Sequence, residues 1–209
     1  MRIYEIDDSA WPQPPNMEGY VEHIKDLIWE NCKPFLNLID FNPAQYRLYR
    51  GDRKCPEFAK LKTMRNRLPK DTPQWSHELI DKYFLNEYGF LYRSQAVFAT
   101  GSRMEASDYG PPFTMFPIGE FTFCYSPKCS DLFKYLDDTR LFSEVDKLIN
   151  YDDDGWSKAY ELVSEELSSL RYEQNTNMEY AIQSGNEIMI NCAEYYMVND
   201  HDFPIGWLG

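Results

Sequence analysis

The side chains best suited to chemistry fall in three short stretches and one charged cluster. In "SGNEIMIN", 184–191, one carboxylate, Glu187, stands at the mouth of an apolar run from Ile188 to Ile190. "LYRGD" ends a run of alternating apolar and basic residues on Arg50 and Gly51, and "VFATGS" ends an apolar run on the hydroxyls of Thr100 and Ser102. A fixed carboxylate stabilises positive charge developing beside it. An arginine makes paired hydrogen bonds to phosphate oxygens, and short hydroxyls orient a carboxylate without neutralising it. Each residue also has a plain structural use: the Gly185 and Asn186 approach is turn-like, so a polar strand end accounts for Glu187 as well.

The charged cluster lies between Arg47 and Lys70. It holds nine of the 21 basic residues, Arg65 and Arg67 among them, against the two acids Asp52 and Glu57. The whole chain carries a formal charge of -13, which excludes a general nucleic-acid binder, since phosphate neutralisation needs surplus Lys and Arg. A positive island in a negative protein has two readings. One is a solvated face that offsets the acidic remainder. The other is a site for a small anion such as a dinucleotide pyrophosphate, with Arg as the bidentate donor.

These residues need elements to hold them. Residues 1–18 are punctuated by prolines and read as an arm. Gly19 to Ile39 has apolar residues at helical spacing, with Pro34 dividing it into two pieces. "YRLYRG", 46–51, alternates as a strand with one polar face, and 52–70 reads as loop with room for one short helix. "DTPQWSHELIDKYFLNEYG" is a helix with a cap at Asp71 or Thr72, Pro73 in its first turn and Gly89 as terminator. "AVFATGS" is a strand and "RMEASDYG" a helical turn. "FTMFPIGEFTFCYS" gives two strand pieces around Pro117 to Gly119. From Lys128 to Met178 the chain is helical and acidic, and a short helix near "MEYAIQ" precedes the last strands, "EIMI" and "EYYMV". The order implies one α+β unit with a mixed or antiparallel core. Residues 1–45 would be an arm and helix packed on a main domain of 46–209.

The 209 residues, 43% hydrophobic and 16% aromatic, are enough to fill one core. No apolar run reaches membrane-spanning length, and "MRIYEIDDSAWPQPP" has neither a charged leader with an apolar stretch nor an Arg-rich amphipathic pattern. A soluble, cytoplasmic protein is expected. The five scattered cysteines, never spaced C-x-x-C, read as reduced thiols, and no metal site is expected.

Taken in chain order, "LYRGD", "VFATGS" with the following "ASDYG", and "GNEIMI" resemble the mono-ADP-ribosyltransferase superfamily of the Arg, Ser/Thr, Glu type, over about residues 46 to 200. The resemblance implies NAD as substrate. Arg50 and Gly51 would steady its phosphates and ribose, Thr100 and Ser102 would shape the nicotinamide pocket and hold the glutamate, and Glu187 would support the ribosyl cation. "RNRLPKD", with Arg65 and Arg67, would close over the cofactor as a mobile loop. Tyr109, or another aromatic near this strand, would stack on the nicotinamide.

Three departures qualify the resemblance. The hydroxyl motif lacks its middle threonine. Enzymes of this type that modify arginine commonly carry a Glu two residues before the catalytic one, and here Gly185 stands there, so arginine is disfavoured as acceptor. The acidic stretch 127–178 is long for a minimal transferase. Glu194 is a rival carboxylate, set aside here as a hairpin residue. Other readings stay open: an acidic binding protein that mimics nucleic acid for a basic partner, an inactive transferase fold used as a structural module, or an NAD glycohydrolase. The expected transferase acts on a protein or nucleic-acid acceptor, and its size and build suit a bacteriophage-encoded enzyme in host cytoplasm.

Overall fold

The computed structural model describes residues 17–67 and 73–199. Helix α1 (Met17–Asn31) buries Ile24 and Ile28, one turn apart, completely. Its first turn already takes in Met17 and Glu18, which the sequence assigned to the arm; residues 1–16 lie outside the described residues. Cys32 makes the break and Pro34 sits in the first turn of α2 (Lys33–Leu38), where a missing amide hydrogen loses no helical bond.

Strand β1 (Tyr49–Gly51) is shorter than the alternation over 46–51 implied. The following segment, read as loop, contains strand β2 (Phe58–Lys62), with Phe58, Ala59 and Leu61 buried while Lys60 and Lys62 face out. Helix α3 (Gln74–Tyr88) ends on Gly89 in the left-handed conformation, as its sequence implied, and Pro73 holds the N-cap position. The expected caps Asp71 and Thr72 lie outside the described residues.

Then follow α4 (Tyr92–Gln95), β3 (Val97–Thr100), α5 (Arg103–Ser107), β4 (Pro112–Ile118) and β5 (Thr122–Tyr125). The acidic stretch is built as α6 (Leu132–Asp138), α7 (Leu141–Tyr151) and α8 (Gly155–Ser169), with the two-residue β6 (Glu173–Gln174) after them. Helix α9 (Met178–Ser184) leads into β7 (Glu187–Asn191), and β8 (Glu194–Val198) follows. No helix among the described residues is long and apolar enough to cross a membrane.

The eight strands form one α+β sheet in the order β2-β8-β4-β1-β3-β7-β5-β6, antiparallel at every pairing. Helices cover both faces. On one side Ile188 and Ile190 join Ile28 of α1, Phe35 of α2 and Ile182 of α9. On the other, Met189 joins Phe84 of α3, Val145 of α7 and Leu167 of α8. The period of two along β7 therefore feeds two cores. The acidic helices are no appendage: Ala159, Val163 and Leu167, spaced four apart on α8, are the buried stripe that seals the second face.

One short link bends this sheet. β7 and β8 are consecutive in the chain and joined only by Cys192 and Ala193, yet they stand four places apart in the strand order. Three Cα steps reach at most about 11 Å, whereas four flat strand spacings span about 19 Å. The register aligns Val198 of β8 through Thr114, Tyr49 and Thr100 with Glu187 of β7, so β7 and β8 run parallel and the link joins opposite ends of them; the halves β2-β8-β4-β1 and β3-β7-β5-β6 must therefore turn steeply against each other. Their junction is correspondingly slight: β1 and β3 pair through the single couple Tyr49↔Thr100. Glu194 is thus no hairpin residue. It opens β8 and its Oε2 lies 2.8 Å from Lys60 Nζ on β2.

Gly51 explains how α5 fits beside this junction. A Cβ built there would stand 2.0 Å from the Ala106 carbonyl oxygen of α5, a backbone atom with no room to yield. Gly51→Ala should lower stability by about 1–3 kcal/mol, the usual cost of overpacking, measured as a drop in melting temperature against wild type.

Candidate functional site

The three motif strands lie side by side as β1, β3 and β7. Tyr49 pairs with Thr100 and Thr100 with Glu187, so one residue of each motif stands in a single row across the weak junction. Arg50 is one residue beyond that row. Its Nη1 donates to the Phe98 carbonyl at 2.7 Å, spanning the gap where β1 and β3 part, and its buried Nε has no hydrogen-bond partner.

Thr100 and Ser102 do not hold the glutamate by its carboxylate, as the sequence reading expected. The Thr100 hydroxyl donates to the Gly185 carbonyl at 2.6 Å and accepts the Ser102 amide at 3.0 Å. Ser102 Oγ accepts the Glu105 amide and caps α5. These hydroxyls fix the backbone turn that delivers Glu187, and Glu187 N–H donates to the Ser130 carbonyl at 2.9 Å. The residue is clamped through its main chain from two sides.

The glutamate side chain is 16% exposed, and its Oε2 lies 3.9 Å from Arg93 Nη1, itself 14% exposed. Burial is the largest influence and pushes the carboxyl up to about 7. The cations of Arg93 and Arg67 oppose the rise and the charge of Asp131 adds to it, while the Leu132 amide favours the ionised form. Arg93 is the cation paired with Glu187, a role the sequence did not reveal. Its amide and that of Ser94 donate to Asp81 Oδ1 at 2.8 and 3.2 Å. Its carbonyl accepts Arg67 Nη2 at 2.7 Å.

The two guanidinium carbons sit 4.2 Å (Arg67) and 5.1 Å (Arg93) from the centroid of the Phe98 ring, within cation–π range. His77 of α3 is buried nearby with Nδ1 unpaired, and burial, then Arg93 and Arg67, push its pKa down to about 4. The imidazole is neutral at pH 7.

The remaining expected site residues divide between these neighbours and other places. Arg67 is in the cluster, whereas Arg65 is exposed and its charge bears on the Cys192 thiol, beyond the opposite end of β7 from Glu187. Gly51 serves the packing of α5. Tyr109 is 57% exposed and its hydroxyl donates to Oδ2 of the buried Asp131, whose Oδ1 accepts the Lys134 amide at 3.0 Å. Burial and the Asp131 and Glu187 charges hold that phenol above its ordinary range, so it stays protonated. Arg93, His77, Asp81 and Asp131 escaped the sequence reading because they stand outside the motifs, on helices or their caps, and meet only when the chain folds.

A carboxyl raised from 4.5 to about 7 makes its contribution to stability largest below 4.5, and that contribution is lost as pH rises through 7. Glu187→Gln removes this loss. Its stability relative to wild type should climb between those limits, by at most about 1.4 kcal/mol per pH unit, and level off above pH 8 in thermal melts. A pH-independent difference would contradict the assigned burial. Compared with models of known families, with curated proteins and with solved structures, the chain matches none.

Proposed function

We propose that this chain is an NAD-dependent mono-ADP-ribosyltransferase with the transferase-like fold its motifs resemble. The observation that carries the reading is the row Tyr49, Thr100, Glu187, which sets the three motif strands beside one another at a parted sheet junction. Residues 50, 100 and 187 are far apart in sequence, and chance motifs would have no reason to share adjacent strands.

The chemistry follows from charge. When the bond between the ribose C1′ and the nicotinamide nitrogen breaks, its electron pair leaves with the ring. The departing group becomes neutral and positive charge builds on the sugar. Glu187, ionised and held by its backbone, stabilises that charge more in the transition state than in the ground state. It also accepts a hydrogen bond from a ribose hydroxyl. Arg50 and Arg67 serve the pyrophosphate, since guanidinium groups make paired hydrogen bonds to phosphate oxygens. The Arg93 guanidinium keeps an ionised Glu187 accessible near neutral pH, against the pull of burial.

The test is incubation of the purified protein with labelled NAD and a cell lysate. Labelled protein or nucleic acid together with released nicotinamide supports transfer; release without label makes the chain a glycohydrolase. Absence of turnover, with salt-sensitive binding to a basic protein instead, contradicts the enzyme reading. Glu187→Gln should lose about 10²- to 10³-fold in rate. Because the ionised form is the working one, kcat/KM should rise with pH through an ascending limb near 7.

A further inference from the structure

Glu187 supports the sugar cation, but a nucleophile that attacks that cation must also lose its proton, and an ionised carboxylate committed to the ribose is poorly placed to take it. The structure holds a second carboxylate beside the first. The bond from Glu187 N–H to the Ser130 carbonyl, 2.9 Å, makes Asp131 a direct neighbour of the start of β7. Asp131 is buried at 6% exposure, and both of its oxygens are engaged, one by the Lys134 amide and the other by the Tyr109 hydroxyl. It therefore meets an incoming group only through Tyr109. That tyrosine is built for the part: the residue is 57% exposed while its hydroxyl bonds the buried acid. Lys134 Nζ lies 3.1 Å from Asp108 and 3.5 Å from Glu105, and its charge also bears on Asp131.

We propose that Tyr109 and Asp131 form a proton relay that activates a hydroxyl acceptor, either water or a hydroxyl on a macromolecule. The inference rests on the NAD-cleaving reading of Glu187. In the step, the acceptor oxygen forms a bond to C1′ as the bond from C1′ to the nicotinamide nitrogen breaks and its electron pair leaves with nicotinamide. The acceptor proton passes to the Tyr109 oxygen while the Tyr109 proton passes to Asp131 Oδ2. Tyr109 ends as it began and Asp131 ends protonated, to be discharged to solvent after product leaves. Tyr109 is the catalytic residue of this relay, and Asp131 acts through it. The relay supplies a base from outside β7, from the segments that follow α5 and precede α6.

Azide separates this role from a merely structural one, since it attacks without a proton to lose. Purified wild type, Tyr109→Phe and Asp131→Asn are incubated with NAD in buffer containing azide and methanol. The ratio of ADP-ribosyl azide to the water and methanol products is then measured. Asn retains the ability to cap α6, and azide product reports that each variant is folded. Both variants should raise the azide-to-hydroxyl ratio by about 10²-fold, the scale of general-base assistance, while Glu187→Gln should depress both products together. Addition of lysate distinguishes the source of hydroxyl: relay-dependent label on macromolecules marks a macromolecular acceptor, and relay-dependent free ADP-ribose marks water. An unchanged ratio in the two variants overturns the relay and leaves the NAD reading standing. Wild type that releases no nicotinamide with any nucleophile overturns both.

Discussion

Two residues, Cys192 and Ala193, join β7 to β8 across four places of the strand order, and much of the architecture answers to that tether. It joins opposite ends of two parallel strands and is too short to cross a flat sheet, so the halves turn steeply against each other. Antiparallel pairing between β1 and β3 then shrinks to one residue couple. Backbone groups freed by the parting still need partners, and the Arg50 guanidinium meets one of them, the Phe98 carbonyl. The motif residues gather at this junction.

Around that junction the polar groups are arranged to hold one acid in an uncomfortable place. Burial raises Glu187, and the protein does not relieve this with a close bidentate ion pair; the Arg93 contact is long, at 3.9 Å. Rigidity comes from the main chain instead, through the Ser130 carbonyl on one side and the turn at Gly185, fixed by Thr100, on the other. Arg93 is itself set by Asp81 and by the Phe98 ring it shares with Arg67. A carboxylate so held can answer a charge that appears beside it during reaction without first reorganising.

Much of this was legible in the sequence where a local rule decides the outcome. Gly89 ends α3, Pro34 opens α2, and Glu187 starts β7, because backbone conformation and amide loss are properties of single residues. The α+β class followed from the order of periodic segments. Strand β2 is hard to see in the sequence because Lys60 and Lys62 interrupt its apolar residues, as befits an edge strand that discourages pairing with another chain. Glu194 was misplaced because two residues between strands read as a hairpin unless the strand order is known. Arg93, His77 and Asp131 carry no motif at all; their meaning comes from contacts over tens of residues.

Burial holds Glu187 as an acid poised near neutrality, which the proposed role beside the positive nicotinamide riboside requires. Titration of its side-chain carboxyl by carbon NMR, with Glu187→Gln assigning the resonance, tests this directly in the free protein and with NAD bound. The midpoint should lie near 7 in the free protein and lower with NAD, whose cationic ring favours the ionised form. A midpoint at the ordinary 4.5, or one that NAD leaves unmoved, would contradict it.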